Sequence, residues 1–181
     1  RALGMALAGF SNTALALVAA ALFISAAMTV TGLDRRIALV TLSAIGTSTR
    51  RILLGAIAVT ILLSLLVPSA TARSACVVPI MMGVIAAFGV DKRSNIAAGL
   101  MIVVAQGTSI WNVGIQTAAA QNLLTVGFMD KMLGQRVAWL DWLIAGAPWA
   151  LIMSLVLLYL VLKMLPPESD SIPGGKEAVA R

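Results

Sequence analysis

Long apolar stretches alternate with short polar segments along most of this chain. The first stretch, residues 14–31, has about 18 residues without a charge, which is the length of a helix that spans a bilayer. It stops at Gly32. In residues 33–45 the apolar positions recur at helical spacing and two arginines lie opposite them, so we predict an interfacial helix that lies flat among the lipid headgroups.

Two shorter apolar stretches, residues 52–67 and 75–90, enclose the polar segment Pro-Ser-Ala-Thr-Ala-Arg-Ser. A helix over the first stretch would reach about 24 Å, short of a hydrocarbon core of roughly 30 Å. Basic pairs flank the outer ends of the two stretches, the feet of the hairpin that they would form, which fits entry and exit on one face of the membrane. We therefore predict a re-entrant helical hairpin over residues 52–90, with its tip near the middle of the membrane.

Residues 95–129 have the length of a spanning helix but a centre rich in amides, hydroxyls and glycine. Polar backbone at membrane depth is tolerated only where it is buried in protein or lines a cavity, so we predict a broken helix. Residues 139–165 are long enough to span with tilt and begin with a cluster of tryptophans. We predict that residues 1–165 form one membrane repeat and that residues 166–181, rich in Pro, Gly, Ser and charge, form a polar linker or tail.

Composition places these elements in a lipid bilayer. Hydrophobic residues make up 60% of the 181 residues and charged residues 11%, with a mean hydropathy of +1.00, whereas soluble domains carry about 25% charged residues. The charges are too few to cover a water-facing surface. The net charge of +6 comes from short basic pairs rather than a continuous basic face, so we expect no nucleic-acid partner.

The same composition excludes several kinds of chemistry. The chain has no His and one Cys, which excludes an intramolecular disulfide, a His-based metal site and a His-dependent triad. It has no recognisable acid–base pair or nucleophile arrangement, so we do not expect an enzyme. If the first span ends inside, nine Lys and Arg residues are cytoplasmic and three are outside. This bias supports a multi-pass protein of the cell inner membrane with that orientation.

The hairpin tip is one candidate for the chemistry. Ser69, Thr71 and Ser74 offer hydroxyls there, and the helix ends offer unpaired N–H and C=O groups that suit a carboxylate or Na⁺. Arg73 is the only charge deep in this unit, and an intramembrane charge is a functional hypothesis. Alternatively, the hydroxyls cap the helices and Arg73 only neutralises carbonyls or snorkels.

The centre of the broken helix is the second candidate. Discontinuous helices often build substrate and ion sites at mid-membrane. Polar groups of this kind also join helices to one another in membranes, which is the alternative reading. The candidates are Thr108, Ser109, Asn112, Gln116, Thr117 and Asn122.

Four segments in order resemble the first half of the divalent anion:sodium symporter family, which includes dicarboxylate and citrate carriers. The span and flat helix read FSNTALALVAAALFISAAMTVTGLDRRIAL, similar to the family's span followed by Gly-Leu-x-x-Arg-Ile-Ala. The tip reads VPSATARSACVVPI, similar to the Pro-Ser-Asn-Thr-Ala-Arg-Ser form of the di- and tricarboxylate exchanger branch. The broken helix ends in TAAAQN, which resembles that branch's Thr-Ala-x-Ala-Pro-Asn. The last segment, LDWLIAGAPWALIM into LPPESDSIPGGKEA, resembles the family's Asp-Trp span and linker.

The resemblance implies half of an inverted-repeat transporter, in which substrate carboxylates bind between two hairpin tips and a cation binds at each tip and broken helix. By position Ser69 and Thr71 match the motif's Ser and Thr, and Thr117 and Asn122 match the broken-helix segment. With Arg73, these are the predicted substrate-binding residues. Ser69, Thr71 and Gly114 are candidate sodium ligands, and no other cofactor is expected.

The sequence departs from the family pattern in three ways. Ala70 replaces the motif's Asn and Gln121 replaces a Pro. Losing the amide should weaken a tip sodium site, because hard cations need oxygen ligands, and Arg73 would favour exchange by attracting the anion directly. The second repeat is absent from these residues, so we expect the chain to need a second half or a homodimer partner.

The leading hypothesis is secondary transport of di- or tricarboxylate anions, coupled to sodium or to exchange of another carboxylate, by one half of a two-repeat carrier. The alternative is a degenerate or non-transporting assembly partner, which Ala70 and the missing half favour. A passive anion channel is a third, weaker hypothesis.

Overall fold

A computed structural model describes residues 13–45, 48–91 and 93–169, and these residues fold as an all-α membrane unit. Four of its helices are long and apolar enough to cross a membrane, and a bent pair makes a fifth candidate span. The predicted fold class is confirmed. The start of the predicted repeat, residues 1–12, and most of the predicted tail, residues 170–181, lie outside the described residues. The helices are α1 (Thr13–Thr31), α2 (Leu33–Ile45), α3 (Thr49–Leu66), α4 (Ala70–Phe88), α5 (Asn95–Gly114), α6 (Ala120–Leu133) and α7 (Trp139–Met164).

The first two helices meet at a sharp elbow. Gly32 has φ +66°, a left-handed conformation that glycine adopts without steric cost. The segments on either side of it differ in direction by 67°. Helix α2 has the bounds expected for the interfacial helix. Its position among the headgroups stays a prediction.

The hairpin is built of two longer arms than the sequence suggested. Helix α3 has 18 residues and α4 has 19, so they reach about 27 and 29 Å rather than about 24 Å. The first arm begins at Thr49 because the Ser48 hydroxyl caps it, accepting the Arg51 N–H at 3.5 Å. The arginine pair therefore belongs to the first turn of α3. Entry and exit of the arms on one face stays a prediction.

Helix α5 is the centre of the bundle, because α3, α4 and α7 all pack against it. Small residues let these backbones approach closely. A Cβ on Gly107 would lie 3.0 Å from the Thr60 hydroxyl oxygen, and a Cβ on Gly114 would lie 2.7 Å from the Ala150 Cβ. The core between them is fully apolar at positions such as Leu63 and Val103, which are 0% exposed.

The chain after α7 returns to the bundle. We call residues 166–169 the strap. The Glu168 carboxylate accepts the Asn95 and Ile96 N–H groups at 2.6 and 3.3 Å, and the Thr49 hydroxyl donates to the Ser169 carbonyl at 2.5 Å. The first residues of the predicted tail are thus bound to the N-termini of α3 and α5.

Candidate substrate site at the hairpin tip

The tip is a short extended segment between α3 and α4. Pro68 disfavours a helical conformation at the residue before it, and Val67 is extended, with φ −114° and ψ 108°. Ser69 then starts α4 as its N-cap, since its hydroxyl accepts the Ala72 N–H at 3.3 Å. Both Val67 and Pro68 are buried, so the tip lies inside protein rather than in an exposed loop.

Arg73 joins this tip to the broken helix. It lies in the first turn of α4 and is 1% exposed. One guanidinium nitrogen, Nη1, donates to the Val67 carbonyl at 2.9 Å and to the Ala118 carbonyl at 3.0 Å. The other, Nη2, donates to the Asn112 side-chain oxygen. Arg73 thus neutralises carbonyls, as the alternative reading expected, and these carbonyls come from both halves of the site.

The Arg73 guanidinium is not saturated by these bonds. Its Nε is buried and has no acceptor among the described residues. An arginine has five N–H donors, and three of them are used here. The remaining donors leave the buried charge able to attract a further anionic group nearby.

The break between α5 and α6 is stabilised by Asn122, which lies in α6. Between α5 and α6 the chain forms one 3₁₀ turn, Gln116–Ala118. The Asn122 amide donates to the Asn112 carbonyl at 2.6 Å and to the Ile115 carbonyl at 3.1 Å. These carbonyls are at the C-terminus of α5, where helical carbonyls lack intrahelical partners. Arg73 and Asn122 therefore meet on the same residue, Asn112.

The break is narrower than its polar sequence suggested. Residues 106–114 are helical, with the Ser109 hydroxyl donating to the Ala105 carbonyl at 3.0 Å. Gly107 serves packing against Thr60 rather than a bend. The buried Thr108 hydroxyl has no partner in the part of the chain that the structure describes.

The remaining predicted residues are distributed around this network. Thr71 is exposed, in the first turn of α4. Thr117 is half-buried and accepts the Trp139 indole N–H at 3.3 Å. Gly114 packs against α7, and its carbonyl would lie 3.2 Å from a Cβ on Gly146. A sodium site at Ser69, Thr71 and Gly114 stays a prediction.

The tip carries positive charge without a nearby acid. Within residues 13–45, 48–91 and 93–169 the one ion pair joins Arg136 to Asp130 on the surface. Arg73 is therefore uncompensated, and the N-terminus of α4 adds positive potential from its unpaired N–H groups. This arrangement suits a carboxylate.

Sequence reasoning missed two kinds of residue. Trp142 does more than mark a membrane boundary, because its indole donates to the Val113 carbonyl next to the break at 2.9 Å. Asp34 was given no role, although it is 5% exposed in a membrane unit. The sequence did contain a feature that could have indicated Asp34, because it is an acid at the point where a charge-free stretch ends.

A protein family and several known membrane proteins match this chain over most or all of its length. The family described as the sodium:sulfate symporter transmembrane region matches residues 1–181. A membrane protein of Cupriavidus necator is 86% identical over all of the chain, which covers 35% of that protein. The citrate/succinate antiporter of Escherichia coli K12 is 31% identical over 93% of the chain, and the chain covers 36% of it. The L-tartrate/succinate antiporter of E. coli UTI89 is 26% identical over 98% of the chain and is covered to 38%.

The chain thus spans little more than a third of the length of these relatives. The family is one of transporters rather than of enzymes, and the helices described above make the chain a multi-pass membrane protein. The chain belongs to the family defined by the sodium:sulfate symporter transmembrane region.

Proposed function

We propose that this chain is half of an inner-membrane carrier that transports di- or tricarboxylate anions by exchange with another carboxylate. A second repeat, downstream or in a partner chain, would complete the site. The family match and two relatives named as carboxylate antiporters support this function. The missing tip amide at Ala70 favours exchange over sodium coupling, because it removes an oxygen ligand.

One observation carries the proposal: a buried, uncompensated Arg73 binds the tip and the break at once. If the substrate site of a carrier moves as one body, the elements that form it must stay attached to one another. Because the Val67 and Ala118 carbonyls share one guanidinium nitrogen, the tip and the break are held together. The structure therefore suits a site that moves intact between the two faces.

The substrate carboxylate would bind at the N-terminus of α4. Free N–H groups of the first turn and the hydroxyls of Ser69 and Thr71 would donate to it. Thr117 would donate its hydroxyl from the break, and Asn122, whose two amide N–H groups bind the Asn112 and Ile115 carbonyls, would hold the break in position. Arg73 would contribute through its charge and its unused donors.

Exchange in proteoliposomes tests the proposal. The full-length protein that contains this chain is reconstituted, loaded with succinate, and assayed for uptake of labelled citrate or succinate. Ser69→Ala combined with Thr71→Ala should lower uptake at least tenfold, because two hydrogen bonds of about 1 kcal/mol each are lost. Thr125→Ala, which removes an exposed hydroxyl of α6, is the matched control.

Replacing external sodium with choline should leave this exchange unchanged. Uptake by the double variant equal to that of the control, at equal expression, would remove the assigned site. If the wild-type protein shows no saturable counterflow of any di- or tricarboxylate, the chain is instead a non-transporting assembly partner.

A further inference from the structure

A cavity lies between the α1–α2 elbow and the side of α4, where it reaches Ala72 in the first turn of that helix. It has a volume of about 540 Å³, within the usual range for sites that bind small organic groups. Its wall is of mixed character. The elbow supplies hydroxyls and charges, and α4 supplies small and apolar groups. The lining residues used below are Thr29, Val30, Asp34, Arg35 and Cys76.

Asp34 is the unusual member of this wall. Its Oδ1 accepts the Arg35 N–H at 2.7 Å, whereas Oδ2 has only the Thr29 hydroxyl at 3.5 Å. The Cys76 thiol, a weak donor, lies beside the same carboxylate. Among the described residues no cationic side chain lies within 4.0 Å of it. A buried charge is costly unless it is paired. Because this carboxylate has no cationic partner, a cationic group of a bound ligand would stabilise it.

Arg35 brings the opposite charge to the same cavity. Its side chain is exposed, and in the described part of the chain it forms no ion pair. An acid and a base on one wall that do not pair with each other are complementary to a ligand with both charges. A lone metal cation fits less well, because Arg35 would repel it and the cavity is far larger than an ion.

The position of the cavity indicates where such a ligand comes from. The elbow is the point at which a helix of spanning length turns toward the predicted interfacial helix, so its charges are expected at headgroup depth. Apolar side chains continue from the mouth onto the exposed face of the elbow, where Val30 is 87% exposed and Leu33 is 46% exposed. These surfaces suit acyl chains.

We propose that this cavity binds the headgroup of a phospholipid with a primary ammonium group, of the phosphatidylethanolamine type. The ammonium hydrogen-bonds to the Asp34 Oδ2, whose contact with the Thr29 hydroxyl is long at 3.5 Å, the phosphate pairs with Arg35, and the acyl chains lie along the elbow. This site uses Asp34 and Arg35 of the elbow, whereas the proposed carboxylate site uses Ser69, Thr71 and Arg73.

Lipid-dependent thermal stability of the detergent-purified full-length protein tests the proposal. Dioleoyl-phosphatidylethanolamine should raise Tm more than dioleoyl-phosphatidylglycerol, which lacks the ammonium, or dioleoyl-phosphatidylcholine, whose ammonium cannot donate a hydrogen bond. Asp34→Asn should abolish this preference, with Asp130→Asn as the control for loss of an exposed acid. Arg35→Gln should weaken stabilisation by the ethanolamine lipid, with the exposed neighbour Arg36→Gln as its control. Arg35 is exposed, so its variant keeps the test open if Asp34→Asn does not fold.

Alkylation of Cys76 by N-ethylmaleimide gives a second measurement at the cavity itself. Cys76→Ser corrects for any labelling elsewhere. At a lipid concentration about ten times the dissociation constant, labelling should slow about tenfold, because about one molecule in eleven is free. Soluble phosphoethanolamine should protect far less than the lipid.

Several outcomes would overturn the proposal. One is equal stabilisation by all three lipids, and another is an ethanolamine preference that survives Asp34→Asn. Equal protection of Cys76 by phosphoethanolamine and lipid would show a site for a free solute instead.

The lipid proposal and the carboxylate proposal can fail separately. Loss of citrate exchange in Ser69→Ala with Thr71→Ala, beside an intact lipid preference, would separate the two sites.

Discussion

Arg73 satisfies acceptors that the tip and the break would otherwise bury without partners. The Val67 carbonyl lies at the C-terminal end of α3, and the Ala118 carbonyl lies at the end of the 3₁₀ turn. Both accept hydrogen bonds from the Arg73 Nη1. Each such acceptor, if left unpaired and buried, costs about 1–3 kcal/mol. The structural and functional readings of Arg73 are therefore compatible, because the bonds that hold the site also leave its charge in place.

Asn112→Ala should destabilise this network. The variant removes the acceptor of Nη2 and leaves a guanidinium donor buried, so we expect a loss of about 1–3 kcal/mol in the free energy of unfolding. Gln106→Ala truncates an exposed amide on the same helix and is the control. Unfolding in mixed micelles measures both. A loss no larger than that of the control would show that Asn112 does not hold Arg73.

The sequence predicted Arg73 as a residue of interest but not what it binds. A lone charge deep in an apolar unit is informative by itself. Its partners are 6, 39 and 45 positions away along the chain, and the two distant ones, Asn112 and Ala118, are brought to it only by tertiary packing of α4 against α5 and the break. Asn112 was one of six polar candidates with nothing to rank it above Thr108, whose hydroxyl has no partner in the described chain.

At the scale of helices, glycines determine how closely α5 and α7 approach. The Gly114 Cα faces Ala150, and Gly146 faces the backbone of residues 113–114 in return. A pattern of small residues can be read from a sequence, but which helix each one meets cannot. Gly83 shows this, since a Cβ there meets no described atom within 4 Å.

Gly114→Ala should push α5 and α7 apart. Its new methyl group would lie 2.7 Å from the Ala150 Cβ, and overpacking of this kind costs about 1–3 kcal/mol. Gly83→Ala is the matched control and should be neutral or stabilising by up to about 1 kcal/mol, because Ala favours a helix more than Gly does. Equal Tm values for the two variants would contradict the close contact.

The observed helix boundaries show which ends the hydrophobic pattern predicted and which it did not. The interfacial helix was predicted with its observed bounds, because Gly32 and the apolar spacing both mark them. The first hairpin arm was underestimated because arginines at its foot were counted as a turn, whereas Ser48 caps a helix that includes them. The break lies at residues 115–119 rather than at the first polar residue, because side-chain bonds such as that of Ser109 let the helix continue.

At the scale of the whole unit, the strap joins the last helix to the bases of α3 and α5. The N–H groups of Asn95, first, and of Ile96 hold the pKa of the Glu168 carboxyl below its ordinary value of 4.5. A depressed pKa means that the carboxylate stabilises the folded state above about pH 4.5 and that this contribution is lost as pH falls through the lower folded value.

Glu168→Gln should therefore lower Tm at neutral pH by a small amount, and the difference from wild type should shrink as pH falls below 4.5. Asp130→Asn removes an acid from an exposed ion pair and should change Tm little at any pH. Tm measured against pH in detergent gives the comparison. A Glu168→Gln difference that does not depend on pH would mean that the strap is held by its other bonds.

The strap also fixes the direction in which any following polypeptide sets out. It leaves the unit beside the hairpin's feet, after up to five membrane passages. If the bent pair α1–α2 crosses the membrane once, the total is odd whether the hairpin contributes two passages or, by dipping and returning, none. A second copy of the same unit would start on the face where the first one ends and would be built upside down. Halves of opposite orientation, related by a two-fold rotation, thus arise from an odd count alone, without a special connecting segment.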